Sequence, residues 1–114
     1  MAENCIFCRI VRGQVPSARV YEDDEVIVFR DIHPKAPVHL LLVPKEHFDS
    51  LMTAGPQHQA VLGKMLLLAP RLAREQGSAD GFRVVINSGP GGGQEVFHLH
   101  MHLFAGPQPW KGFR

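Results

Sequence analysis

Apolar residues recur at steps of three and four between positions 56 and 76: Val61, Leu62, Met65, Leu66, Ala69, Leu72 and Ala73. That spacing predicts an amphipathic helix from about Pro56 to Gln76, stopped by Gly77 and kinked at Pro70. A shorter helix of one or two turns is predicted within Cys5 to Gly13, from Ile6, Ile10 and Val11. Val38 to Pro44 is an almost unbroken apolar run, the pattern of a central strand. Ala18 to Glu22 and Val26 to Asp31 read as strands of a hairpin turned at Asp23-Asp24. Phe82 to Asn87 and Val96 to Phe104 read as further strands, separated by the loop Ser88 to Gly93. His33 to Pro37 is a proline-interrupted loop. Strands outnumber helices without βαβ alternation, so the expected class is α+β, mostly antiparallel.

Composition narrows the function classes. A chain of 114 residues predicts one domain and excludes a (β/α)₈ barrel, which needs roughly 250 residues. A domain this small buries only about two-thirds of its unfolded surface, so a partner subunit would add useful burial. Twelve Lys and Arg against eleven Asp and Glu leave a net charge of +1, too little surplus for a phosphate-backbone binder. The apolar runs are far shorter than the roughly 20 residues that span a bilayer, and Met1 to Cys8 lacks the pattern of a signal peptide. The expectation is therefore a cytoplasmic protein that binds neither nucleic acid nor membrane. Cys5 and Cys8, two residues apart, have the spacing of half a zinc site rather than of a disulfide.

Seven histidines stand out against one tyrosine and one tryptophan. His98-Leu99-His100-Met101-His102 alternates strictly, which on a strand puts all three imidazoles on one face. At about 3.3 Å per residue, His98 and His102 lie roughly 13 Å apart, too far for one metal to take all three. The three imidazoles must then do different jobs. Gly91, Gly92 and Gly93 can turn amides toward an anion, and Asn87 and Gln94 add neutral donors. A phosphate held by amides and attacked by an imidazole fits this layout.

The segment from Gly92 to Phe104 resembles the signature of the histidine triad (HIT) family, and within it the Hint-like branch of purine nucleoside phosphoramidases. The likeness extends to Cys5-Ile6-Phe7-Cys8-Arg9-Ile10, Phe29-Arg30-Asp31-Ile32, Ala36-Pro37-Val38-His39 and Val43-Pro44-Lys45-Glu46-His47. It implies a HIT-like fold over residues 1–114: an antiparallel sheet of about five strands with one long and one short helix, as a homodimer. It implies cleavage of a P–N bond, with AMP or GMP released through a nucleotidyl-histidine. His100 would be the nucleophile, its other ring nitrogen held by a carbonyl within the triad. His102 would contact phosphate oxygens, and His39 would lie beside the nucleophile. Asn87, Gln94 and the backbone near Gly93, Glu95 and Val96 would hold the remaining oxygens. The Glu95 carboxylate itself would repel phosphate. Asp31 would take the ribose hydroxyls. Ile6, Phe7, Ile10, Phe29, Ile32 and Leu41 would line the base slot. Cys5, Cys8, His47 and His98 would form a closed structural zinc site, with no organic cofactor. His33 and His58 match nothing catalytic and read as surface residues. The tail Gly106 to Arg114 would lie near the partner's site and influence the leaving group. The rival readings are a dinucleoside polyphosphate hydrolase, a non-catalytic nucleotide- or partner-binding module, and a zinc enzyme using triad histidines as ligands.

Overall fold

The computed structural model describes residues 4–107, so most of the tail expected to influence the leaving group, residues 108–114, lies outside the described residues. Helix α1 spans Ile6–Val11, with Cys5 at its N-cap. Strands β1 (Arg19–Glu22) and β2 (Val26–Arg30) form the expected hairpin. Asp23 makes that turn, its Oδ1 accepting from the Glu25 and Val26 amides at 2.8 and 2.9 Å. Strand β3 (Val38–Pro44) follows, then a 3₁₀ turn (Pro56–His58) that leads into helix α2 (Gln59–Glu75). Pro70 lies inside α2, and the helix continues through it. Strands β4 (Arg83–Val85) and β5 (Met101–Ala105) complete an antiparallel sheet in the order β1-β2-β3-β5-β4. The class is α+β, with one long and one short helix. Among the described residues no helix is long and apolar enough to cross a membrane.

Period-two alternation divides the sheet between two cores. Val26, Val28, Leu40, Leu42, Met101 and Leu103 face α2, where they meet Met65, Leu68, Ala69 and Leu72. Ile27, Phe29, Leu41 and Val43 face the other way and pack on Phe7 and Ile10 of α1. The thin α1 layer covers only part of this second face, which leaves room for a cleft.

The last strand differs from its sequence reading. Alternation suggests Val96 to Phe104, but pairing begins only at Met101 and ends at Ala105. Residues 96–100 leave the ladder because they bond elsewhere. The Leu99 amide donates to the Phe48 carbonyl at 2.8 Å, and the His98 ring bonds the Pro44 carbonyl at 2.7 Å. The alternation of faces survives the loss of pairing: Leu99 is buried in the α2 core, while the His98 and His100 rings pack on Phe7. Phe82 to Asn87 likewise shortens to Arg83–Val85.

Candidate active site

The register of β3 and β5 builds the first half of the site. Leu41 pairs with His102 and His39 with Phe104, so His39 and His102 are diagonal neighbours on the α1 face. His39 Nε2 lies 2.9 Å from His102 Nδ1 and 3.4 Å from Asp31 Oδ2. Phe104 packs against both imidazoles, with ring centroids at 4.4 and 5.7 Å. Burial lowers the pKa of His39 below the ordinary imidazole value. It pushes His102 down to about 4, helped by the neighbouring His100 and His39.

His100 sits just before β5, edge-on to Phe7 at 5.0 Å. Its Nδ1 lies 2.8 Å from the His98 carbonyl, which can only accept, so Nδ1 carries the proton. Nε2 is left with its lone pair. Burial again lowers the pKa, which keeps the ring neutral and nucleophilic.

These groups border a cleft of about 560 Å³. Ile6, Phe7, Ile10, Phe29, Ile32, Leu41 and Val96 form its apolar wall; Asp31, Asn87, Gly93, Glu95, His100 and His102 form its polar side. His39 and Gln94 are not on its wall. His39 stands behind His102. The Gln94 side chain is a correction to the reading of it as a phosphate donor. It is buried, its Nε2 donates to the Asp49 and Val96 carbonyls at 2.6 and 2.9 Å, and its Oε1 accepts from the Gly89 amide at 2.8 Å. Its role is to pin the glycine loop. The backbone of that loop is partly committed as well: the Gly93 amide donates to the Pro90 carbonyl and the Gln94 amide to the Gly89 carbonyl, each at 3.1 Å. Gly89 itself has φ +76°, and a Cβ there would meet Met52 Sδ at 2.7 Å. Gln94→Ala is therefore expected to lower stability by about 1–3 kcal/mol, because two carbonyls and an amide lose their partner. Urea unfolding with an unchanged midpoint would contradict this role for Gln94.

The structure adds cleft residues that pattern reading missed: Val15, Pro16, Ser17, Arg30 and Lys35. No motif marks them. The 14–18 segment reaches the cleft because Arg19 Nη2 donates to the Ile10 carbonyl at 2.7 Å, drawing the α1–β1 connection over the slot. His33 is exposed, as read, and also lines the cleft. His58 is a second correction: only 4% exposed, it accepts from the Gly55 amide at 3.0 Å, approaches Glu46 at 3.2 Å and stacks on Phe48 at 3.8 Å. It is a buried cap at the start of α2, which a single histidine in a polar stretch does not announce.

Next to the cleft, Cys5, Cys8, His47 and His98 bring four donor atoms within 4.8 Å of one another. Zinc bonds of about 2.3 Å to sulfur and about 2.0–2.1 Å to nitrogen, at tetrahedral angles, require S···N near 3.6 Å and N···N near 3.3 Å. The observed S···N separations are 3.3 to 3.5 Å, and the two Nδ1 atoms are 3.2 Å apart. The ring tautomers also fit. His98 Nε2 must donate to the Pro44 carbonyl, and His47 Nε2 lies 3.2 Å from Asp49 Oδ1, so both Nδ1 atoms can turn lone pairs to the centre. Burial, together with the Cys5 sulfur, raises the Cys8 thiol to about 11.

A family model described as "Scavenger mRNA decapping enzyme C-term binding" matches residues 4–113. An uncharacterized HIT-like protein of Synechococcus elongatus is 48% identical over 106 residues, covering 93% of each chain. The chain belongs to the histidine triad family. The purine nucleoside phosphoramidase of Escherichia coli K12 is 44% identical over 107 residues, 93% of this chain and 90% of that one. The 14 kDa zinc-binding protein of Zea mays is 46% identical over 105 residues, 90% of this chain and 82% of that one. A histidine triad protein from Clostridium difficile superposes with a TM-score of 0.91 at 42% identity, covering 98% of this chain and 97% of that one. The observed sheet, with its long and short helix, is thus the HIT fold.

Proposed function

We propose that this histidine triad protein hydrolyses purine nucleoside 5′-phosphoramidates through a nucleotidyl-His100 intermediate. One observation carries the reading: the His98 carbonyl fixes the His100 proton on Nδ1, leaving the Nε2 lone pair of a neutral ring on the cleft. The similarity to the E. coli purine nucleoside phosphoramidase supports the substrate class. The purine would lie between Ile6, Phe7, Ile10, Phe29, Ile32 and Leu41, with Asp31 accepting from the ribose hydroxyls. His100 Nε2 attacks phosphorus as the P–N bond breaks. The leaving nitrogen takes the electron pair and a proton from solvent. The intermediate is an imidazolium, whose Nδ1–H bond to the His98 carbonyl strengthens as charge forms. Water then attacks the phosphorus, the P–Nε2 bond breaks and returns its electron pair to His100, AMP or GMP leaves, and the proton lost by water passes to solvent. Substrate and intermediate both hold P–N bonds, so neither step is steep.

Cys5, Cys8, His47 and His98 would hold a structural zinc. When bound, it would supply a cross-link between α1, the segment after β3 and the start of the triad. The same reading takes residues 1–114 as one domain in a cytoplasmic homodimer. Leu66, Leu67 and Phe82 are exposed apolar side chains that a second subunit would cover.

A substrate panel tests the reaction. Adenosine 5′-phosphoramidate should be turned over much faster than a diadenosine polyphosphate; the reverse order would assign a polyphosphate hydrolase, and AMP binding without turnover a binding module. The pH profile supplies a second check. His39, His100 and His102 all have lowered pKa values, so their neutral forms persist below pH 6.5 and protonation costs activity only in more acidic solution. The acid limb of kcat/KM, which reports the free enzyme, should therefore fall below pH 6.5; a midpoint above that would contradict the assignment.

A further inference from the structure

The proton on His102 is decided outside the triad, by way of His39. The Lys35 backbone N–H points at His39 Nδ1, 3.1 Å away, inside the proline-flanked loop before β3. An amide can only donate, so His39 Nδ1 holds a lone pair, and the neutral ring must carry its proton on Nε2. The other side of the ring agrees: Asp31 Oδ2, at 3.4 Å from Nε2, can only accept. His39 Nε2–H in turn faces His102 Nδ1 at 2.9 Å, which must then hold a lone pair. The His102 proton is left on Nε2. The His39 side chain is fully buried, and Phe104 packs on both rings, so neither imidazole can escape by exposing itself to water.

We propose that the Lys35 amide, acting through His39, locks His102 as a neutral imidazole that presents Nε2–H to the substrate phosphate. Its role at phosphate rests on the function proposed above; the lock itself does not. His102 is then a hydrogen-bond donor to the phosphoryl oxygens throughout the reaction, not a proton-transfer acid. An added proton on Nδ1 would oppose His39 Nε2–H, and turning the His39 proton to Nδ1 would oppose the Lys35 amide. The lock also explains why Asp31, His39 and His102, whose donor atoms lie within 4.8 Å, are poorly arranged as a metal site. A cation there would need the lone pair of His39 Nε2, which the amide denies it. Lys35 and His39 are positioning residues, and the device uses a backbone group that no side-chain motif records.

Histidine-¹⁵N nuclear magnetic resonance tests the lock directly, because long-range ¹H–¹⁵N spectra identify the protonated nitrogen of each ring. In the intact protein the proton should lie on His39 Nε2, with a through-hydrogen-bond ¹⁵N–¹⁵N coupling to His102 Nδ1. The His102 proton should lie on Nε2, both free and with AMP added. Lys35→Pro removes the amide, and should abolish the coupling and give His102 both tautomers; Lys35→Ala keeps the amide and should change neither. Should Lys35→Pro fail to fold, His39→Phe should give the same mixture at His102. A His102 proton on Nδ1 in the intact protein, or an unchanged His102 in a folded Lys35→Pro or His39→Phe variant, would overturn the proposal. None of these spectra needs turnover, so they stand apart from the substrate panel.

Discussion

His100→Ala is expected to lower kcat on a purine nucleoside phosphoramidate by roughly 10⁴-fold or more, the scale seen when a covalent nucleophile is removed. The effect should be this large because, among the described residues of the cleft, His100 alone has its ring proton held on Nδ1 by a backbone carbonyl. His102 turns an N–H rather than a lone pair to the cleft if the lock holds, and His39 lies behind it. AMP should still bind, because the base slot and Asp31 stand on α1, β2, β3 and the β2–β3 connection and do not depend on the His100 ring. Two readouts separate this from a folding defect: AMP affinity by calorimetry, and mass spectrometry of quenched wild-type turnover, where a nucleotidyl group should be found on His100. Activity within tenfold of wild type in His100→Ala would end the covalent mechanism.

Removing zinc should produce the largest change in stability. At free zinc about a thousand times Kd, a site that binds only the folded chain contributes about 4 kcal/mol. For a chain of this size that corresponds to a fall in Tm of roughly 10–20 °C on chelation. Cys8→Ser should show a comparable loss without chelator, since it removes a donor from the centre of the cluster. His98 adds a consequence for activity. Its backbone carbonyl holds the His100 proton at 2.8 Å, while its own ring is held between the Pro44 carbonyl and the thiols. Loosening the cluster should therefore lower kcat as well as Tm. Elemental analysis finding well below one zinc per chain, with Tm unmoved by chelator, would remove the metal from this account.

Much of the site was legible because its chemistry is carried by local patterns. The His98 to His102 alternation sorts side chains onto opposite faces whatever the pairing, and this held even where the ladder did not. The apolar slot was legible only through the family likeness, since Phe29 and Leu41 by themselves read as core. Gln94 was misread because a polar side chain beside a glycine loop looks the same whether it faces ligand or backbone. His58 was misread for the parallel reason that burial is a property of neighbours, here Phe48 and Glu46.

Residue order alone was enough for the class, the helix on Val61 to Ala73, the central strand and the shared face of His98, His100 and His102. Those follow from period and spacing, which act over a few residues. Where pairing of the last strand begins, which amides the glycine loop keeps for itself, and which ring nitrogens carry protons were visible only in the folded chain. The long-range ones rest on a partner far along the chain: Phe48 for Leu99, Asp49 for the Gln94 side chain, Pro44 for the His98 ring, and His39 for His102. A hydrogen bond between distant residues exists only once the sheet has set its register, so no local reading of residue types could have placed it.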